Sequence, residues 1–172
     1  MPDITGLSLR ARLAIALRLF AGYCERRELA HPEIAAYLEY LWRFIGLPGT
    51  PEAFGQWTAD EPLLMDAGLG GEYPPGFESL LEARAVPERE FRQAVCCTTE
   101  VLYGSLFGAA DESGSRRFIG ELAALVGPLG VAIPEARSFS GSHWSDGHGW
   151  GAIPSDEELA AWRGATGSQP GV

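Results

Sequence analysis

Residues 8–28 read SLRARLAIALRLFAGYCERRE, and the spacing in this stretch decides the fold class. Leu9, Leu13, Ala16, Leu17, Phe20 and Cys24 fall at helical spacing on one face, and Ile15, Leu19 and Tyr23 widen it. Ser8 is placed to cap the start. Arg10, Arg12, Arg18, Arg26 and Arg27 fall mostly outside the apolar face. A stripe this wide predicts a helix that packs against two neighbours.

Further helices follow outward from this one. His31-Pro32-Glu33 opens a second, because proline at the first helical position sacrifices no hydrogen bond. Its expected buried face is Ile34, Leu38, Leu41, Trp42 and Ile45, flanked by Tyr37, Tyr40 and Phe44. Gly46 and Pro48 stop it. Thr50-Pro51-Glu52 repeats the start signal for a short helix carrying Phe54 and Trp57, and Leu63, Leu64 and Met65 suggest another short turn. Residues 68–76, rich in glycine and proline, read as a loop. A short helix through Phe77, Leu80 and Leu81 comes next.

Pro87 opens a long helix to about Phe107, with Phe91, Val95, Thr98, Leu102 and Leu106 on one face. A helix from about Ser113 to Val126 follows, ended by Gly127-Pro128. Residues 131–151 form a long irregular stretch that holds Phe139, His143, Trp144, His148 and Trp150. Ser155 and Glu158 make a capping box for a last short helix ending near Arg163.

No segment alternates apolar and polar residues, and Val131-Ala132-Ile133 is the only short strand candidate. The expected fold is therefore all-α: an irregular bundle of five to seven helices with one long loop before a short C-terminal helix. Residues 1–163 are expected to form one helical domain and residues 164–172 a flexible tail. A chain of 172 residues buries roughly 70% of its unfolded surface and needs no staple.

Composition narrows the function classes. All 13 basic residues are arginine and asparagine is absent, which with 22 glycines and 12 prolines fits a GC-rich bacterial genome. The formal net charge of -10 opposes binding to nucleic acid or to an anionic membrane surface. Cys24, Cys96 and Cys97 give no disulfide framework, and the start shows no signal peptide, so a cytoplasmic protein with reduced thiols is expected.

Catalytic signatures are weak. His143, Asp146 and His148 offer imidazole and carboxylate in one loop, and Cys96 or Cys97 would complete four metal ligands on paper. A small metal-dependent enzyme is therefore the alternative reading. Against it, the same loop reads as a glycine-rich turn with solvated histidines. The cysteines lie mid-helix, far from a helix N-terminus that would activate them. Ser140 supplies only half of a nucleophile elbow, and Gly68-Leu69-Gly70-Gly71 lacks the strand and the lysine of a phosphate loop. The chain is read as a non-enzyme without a cofactor.

Charge distribution says more. Residues 51–113 hold twelve acids and three arginines, which is nearly all of the net charge. Such a face can simply keep a protein soluble. It can also steer a basic protein partner, and interleaved aromatics supply anchors. Trp57, Asp66, Glu72, Tyr73 and Glu78 are the expected partner-binding residues, because they fall in loop-rich acidic sequence.

Residues 100–111, EVLYGSLFGAAD, together with the acidic loop before them, carry a resemblance of type. A small, acidic, helical chain of this kind resembles the immunity proteins of bacterial polymorphic toxin and contact-dependent inhibition systems. The resemblance implies a cytosolic protein that binds and neutralises one cognate toxin by occluding its basic active site. No family residue maps onto a numbered position. A non-catalytic scaffold or oligomerisation protein is the third reading, and the sequence leaves the oligomeric state open.

Overall fold

The computed structural model describes residues 3–106 and 109–164. Among them are eight α-helices and no strand: α1 (Leu9–Arg26), α2 (Pro32–Ile45), α3 (Pro51–Ala59), α4 (Leu64–Gly68), α5 (Phe77–Ala83), α6 (Glu88–Leu106), α7 (Glu112–Val126) and α8 (Asp156–Gly164). The all-α expectation holds. The element beyond the expected seven is the five-residue α4, where the sequence suggested a turn. Most of the expected tail and Phe107, the expected end of the long helix, lie outside the described residues. Gly164 closes α8.

Helix starts follow local chemistry. Ser8 accepts from Ala11 N–H, His31 Nδ1 from Glu33 N–H, Thr50 from Ala53 N–H and Asp111 from Gly114 N–H. Each satisfies one of the donors that a helix start leaves without an intrahelical partner. Ser155 and Glu158 close the capping box in both directions, through Glu158 N–H to Ser155 Oγ and Ser155 N–H to Glu158 Oε2. Helix α7 begins at Glu112 because Asp111 caps it, slightly earlier than the expected Ser113.

Helix α1 lies at the centre, packed against α2, α6 and α7, and α6 in turn lies on α1, α4 and α7. Every residue from Leu9 to Leu17 is buried. This corrects the placing of Arg10 and Arg12 outside the apolar face: they are 8% and 0% exposed. The stripe is so broad that the first half of α1 is enclosed all round, and its arginines find acceptors inside. Arg12 donates to Glu112 O and Ser115 Oγ at 3.0 and 2.9 Å, and to Ile4 O and Glu112 Oε1 at 3.3 and 3.0 Å. Arg10 donates to the carbonyls of Phe44 and Ile45 at the end of α2 and of Leu47 just beyond it.

The expected flanking residues of α2 are also core. Tyr37, Tyr40 and Phe44 are buried, while Leu38 is half-buried. Two aromatic clusters result. In one, Phe91 lies 6.0 Å from Phe20 and 5.0 Å from Phe77, and Phe20 lies 5.3 Å from Tyr37. In the other, Trp57 stacks on Tyr40 at 4.3 Å and tilts against Phe44 at 5.0 Å. Edge-to-face and offset ring pairs of this kind add to simple area burial. Gly68 lets α4 approach α6, because a Cβ there would strike the Thr99 side chain.

The irregular stretch after α7 wraps the start of α1. Ser8 N–H donates to Ser142 O at 3.0 Å, Trp144 N–H to Gly6 O at 2.7 Å, and Ser8 Oγ lies 2.6 Å from Ser142 Oγ. Short 3-10 turns at Ala136–Phe139 and Asp146–Gly149 shape it, and Val131-Ala132-Ile133 is not a strand.

Two stability outcomes follow from this packing. Leu102, fully buried on α6, should cost about 2–5 kcal/mol when cut to alanine. A thermal midpoint unchanged from the parent would show that α6 is peripheral. Glu112 is 44% exposed, yet it is the counter-ion of a buried guanidinium. Glu112→Ala should therefore cost about 2–4 kcal/mol, more than an exposed ion pair does. Adding Arg12→Leu should cost less than additivity demands, as urea denaturation of the single and double variants would reveal.

Candidate functional site

The segment between α2 and α6 is built from short elements, and its acids face outward. Residues 69–76 cross from α4 to α5 and are tacked to α6 by Arg92. Arg92 donates from Nη1 to Gly71 O at 2.8 Å, and from Nε and Nη2 to Glu88 Oε1 at 3.2 and 2.9 Å. Its guanidinium then lies 4.4 Å above the Tyr73 ring. Tyr73 stacks on Phe77 at 5.6 Å and donates its hydroxyl to Glu88 O at 3.4 Å. Burial pushes the Tyr73 phenol up to about 12, so it stays protonated through the physiological range.

Glu72, Tyr73, Pro74, Pro75, Glu78 and Arg92 surround a cleft of about 360 Å³. Glu72 and Glu78 are exposed. Neither forms an ion pair among the described residues, whereas Glu88 is held by Arg92 at 2.9 Å. The hydrogen bonds it donates to Glu88 raise the Arg92 pKa, which keeps that cation charged and in place. The cleft thus has a half-buried aromatic floor, a fixed arginine and two carboxylates that form no ion pair among the described residues. Its chemistry is recognition of positive groups by charge and of flat or apolar groups by the ring.

Three of the five expected partner-binding residues, Glu72, Tyr73 and Glu78, meet at this cleft. Asp66 is exposed on α4 but does not line it. Trp57 is the correction: it is 3% exposed, and its indole N–H donates to Tyr40 O at 2.9 Å. An acidic, loop-rich neighbourhood suggested exposure. The ring instead lies on the inner face of α3, against α2, and is not available as an anchor. Arg92 was missed by sequence reasoning. Its Glu88 partner one turn earlier was visible, but the loop carbonyl and ring that it covers were not.

The histidine loop does not converge. His143, Asp146 and His148 are exposed, and His148 adopts a left-handed φ of 57°. Among the described residues no group of three His, Cys, Asp or Glu side chains could hold a metal ion. Cys96 and Cys97 sit away from this loop, on α6. Burial pushes both thiols up, Cys97 to about 12, which keeps them protonated at neutral pH. No family model, curated protein or solved structure matches the chain.

Trp57→Ala should behave as a core truncation and cost about 3–5 kcal/mol. A variant as stable as the parent in chemical denaturation, with weakened partner binding, would restore Trp57 as a surface anchor.

Proposed function

We propose that this chain is a protein-binding module whose partner is basic. In its most specific form it is an immunity protein that neutralises a cognate bacterial toxin by covering a basic active site. The observation that carries this reading is the pair Glu72 and Glu78, exposed at the cleft that holds the half-buried Tyr73 and without an ion pair among the described residues. Carboxylates already matched inside a fold have little field left for a partner. Unmatched ones beside an aromatic floor combine steering with an anchor. The net charge of -10 extends the same field outward.

In this reading the protein works in the cytosol, where its three cysteines stay as free thiols. Among the described residues no helix is long and apolar enough to cross a membrane. Docking occludes the toxin; the cleft itself performs no reaction.

The test is co-expression with a candidate toxin domain, taken from a secreted protein encoded beside this chain. The chain should restore growth. Association should slow as salt rises, because screening shortens the field to about 8 Å at physiological ionic strength. Glu72→Arg with Glu78→Arg should reduce the association rate by about tenfold at low salt while leaving the fold intact. Protection and association that ignore both salt and charge reversal would sink the proposal.

A further inference from the structure

A second concavity, of about 430 Å³, opens between α1, the end of α2 and the start of α3. That volume falls within the roughly 300–1,000 Å³ typical of small-molecule pockets. Phe44, Leu47, Phe54, Leu106 and Trp150 give it carbon walls, and Phe44 and Trp150 meet at 5.8 Å between ring centroids. Among the described residues Arg10 is the only charged side chain that lines it.

Arg10 is unusual in this chain. It is 8% exposed, yet it makes no ion pair among the described residues. Its guanidinium donates to Phe44 O at 2.9 Å, to Ile45 O and to Leu47 O at 3.1 Å; its Nε–H, like those of Arg12 and Arg18, finds no acceptor among the described residues. The first two carbonyls end α2, and Leu47 lies just beyond it. A helix C-terminus offers partial negative charge, about half an electron, and does not neutralise a full cation. Burial lowers the Arg10 pKa to about 10, which still leaves it charged at neutral pH.

Arg12 supplies the comparison. It lies on the same helix, is fully buried, and has Glu112 at 3.0 Å as its counter-ion. The chain carries 23 acidic residues, but none lines the pocket beside Arg10. A buried cation without a carboxylate is costly, and a bound anion would offset that cost.

We propose that this pocket binds a small amphiphilic carboxylate, with its apolar body against Phe44, Phe54, Leu106 and Trp150 and its carboxylate compensating Arg10. A neutral apolar molecule would leave the guanidinium unmatched. A hydrophilic anion would leave the ring-lined walls unused. The inference is independent of the acidic face at Tyr73, since no residue is shared between the two clefts.

Gly49 provides a clean test. It lies on the pocket lining, its backbone is not left-handed, and a Cβ there would meet nothing within 4 Å. Gly49→Glu sets a competing carboxylate at the pocket, and Gly49→Gln is its neutral control. The measurement is calorimetric titration of the full chain with decanoate and with decan-1-ol. Decanoate should bind with one-to-one stoichiometry, and decan-1-ol about tenfold or more weaker, as expected for loss of a charge-assisted hydrogen bond. Gly49→Glu should weaken decanoate about tenfold more than it weakens decan-1-ol, whereas Gly49→Gln should weaken the two ligands alike. Equal affinity for acid and alcohol would overturn the proposal. So would decanoate binding that ignores Gly49→Glu, or no saturable decanoate binding up to about 1 mM.

Discussion

The buried guanidinium of Arg12 is the constraint around which the rest of the fold is arranged. A cation removed from water must be surrounded by acceptors, and here they come from three separate places in the chain: the N-terminal segment through Ile4, and the first turn of α7 through Glu112 and Ser115. The third is the long loop, whose Trp144 ring lies 4.4 Å from the guanidinium carbon. If any of these moved away, a buried charge would lose a partner at a cost of several kcal/mol. One side chain on the central helix therefore couples the register of α7 to the path of the loop.

That coupling explains why a long irregular stretch is tolerable in a small helical domain. Loops carry backbone groups that need partners. This one pairs with the start of α1, where unpaired N–H groups await acceptors in any case. Ser142 O takes Ser8 N–H, and Trp150 O takes Arg10 N–H at 3.4 Å. Gly151, at a φ of 81°, lets the chain pass against Ser8 where a Cβ would collide. Phe139 and Trp162 then pack at 5.5 Å, which joins the loop to α8.

The two sides of the molecule divide their chemistry accordingly. In the first half of α1 the arginines are buried, and Arg12 has Glu112 as its counter-ion whereas Arg10 has only backbone carbonyls. Between α2 and α6 the elements are short, the aromatics point inward and the acids stay in solvent. Exposed ion pairs such as Arg43–Asp60, at 2.8 Å, contribute little to stability there. Unmatched acids on that side cost the fold little, which leaves them available for recognition, whereas an unmatched arginine on the other side does not come without cost.

The sequence by itself determined the helical class, the order of the long helices and most of their starts. Ser8, His31-Pro32, Thr50-Pro51 and the Ser155–Glu158 box act over three or four residues, so their meaning is complete within the local chain. Glu72, Tyr73 and Glu78 were legible as a group for the same reason, being close along the chain. Tertiary structure alone decided what each side chain faces. Arg10 and Arg12 looked solvent-bound until α2, α7 and the loop enclosed them. Trp57 looked like an anchor until it stacked on Tyr40, and Arg92 gained its place over Tyr73 only when the loop crossed α6. Helical periodicity reports an angle around one axis, whereas burial depends on how many neighbours surround that axis, and those neighbours come from distant parts of the chain.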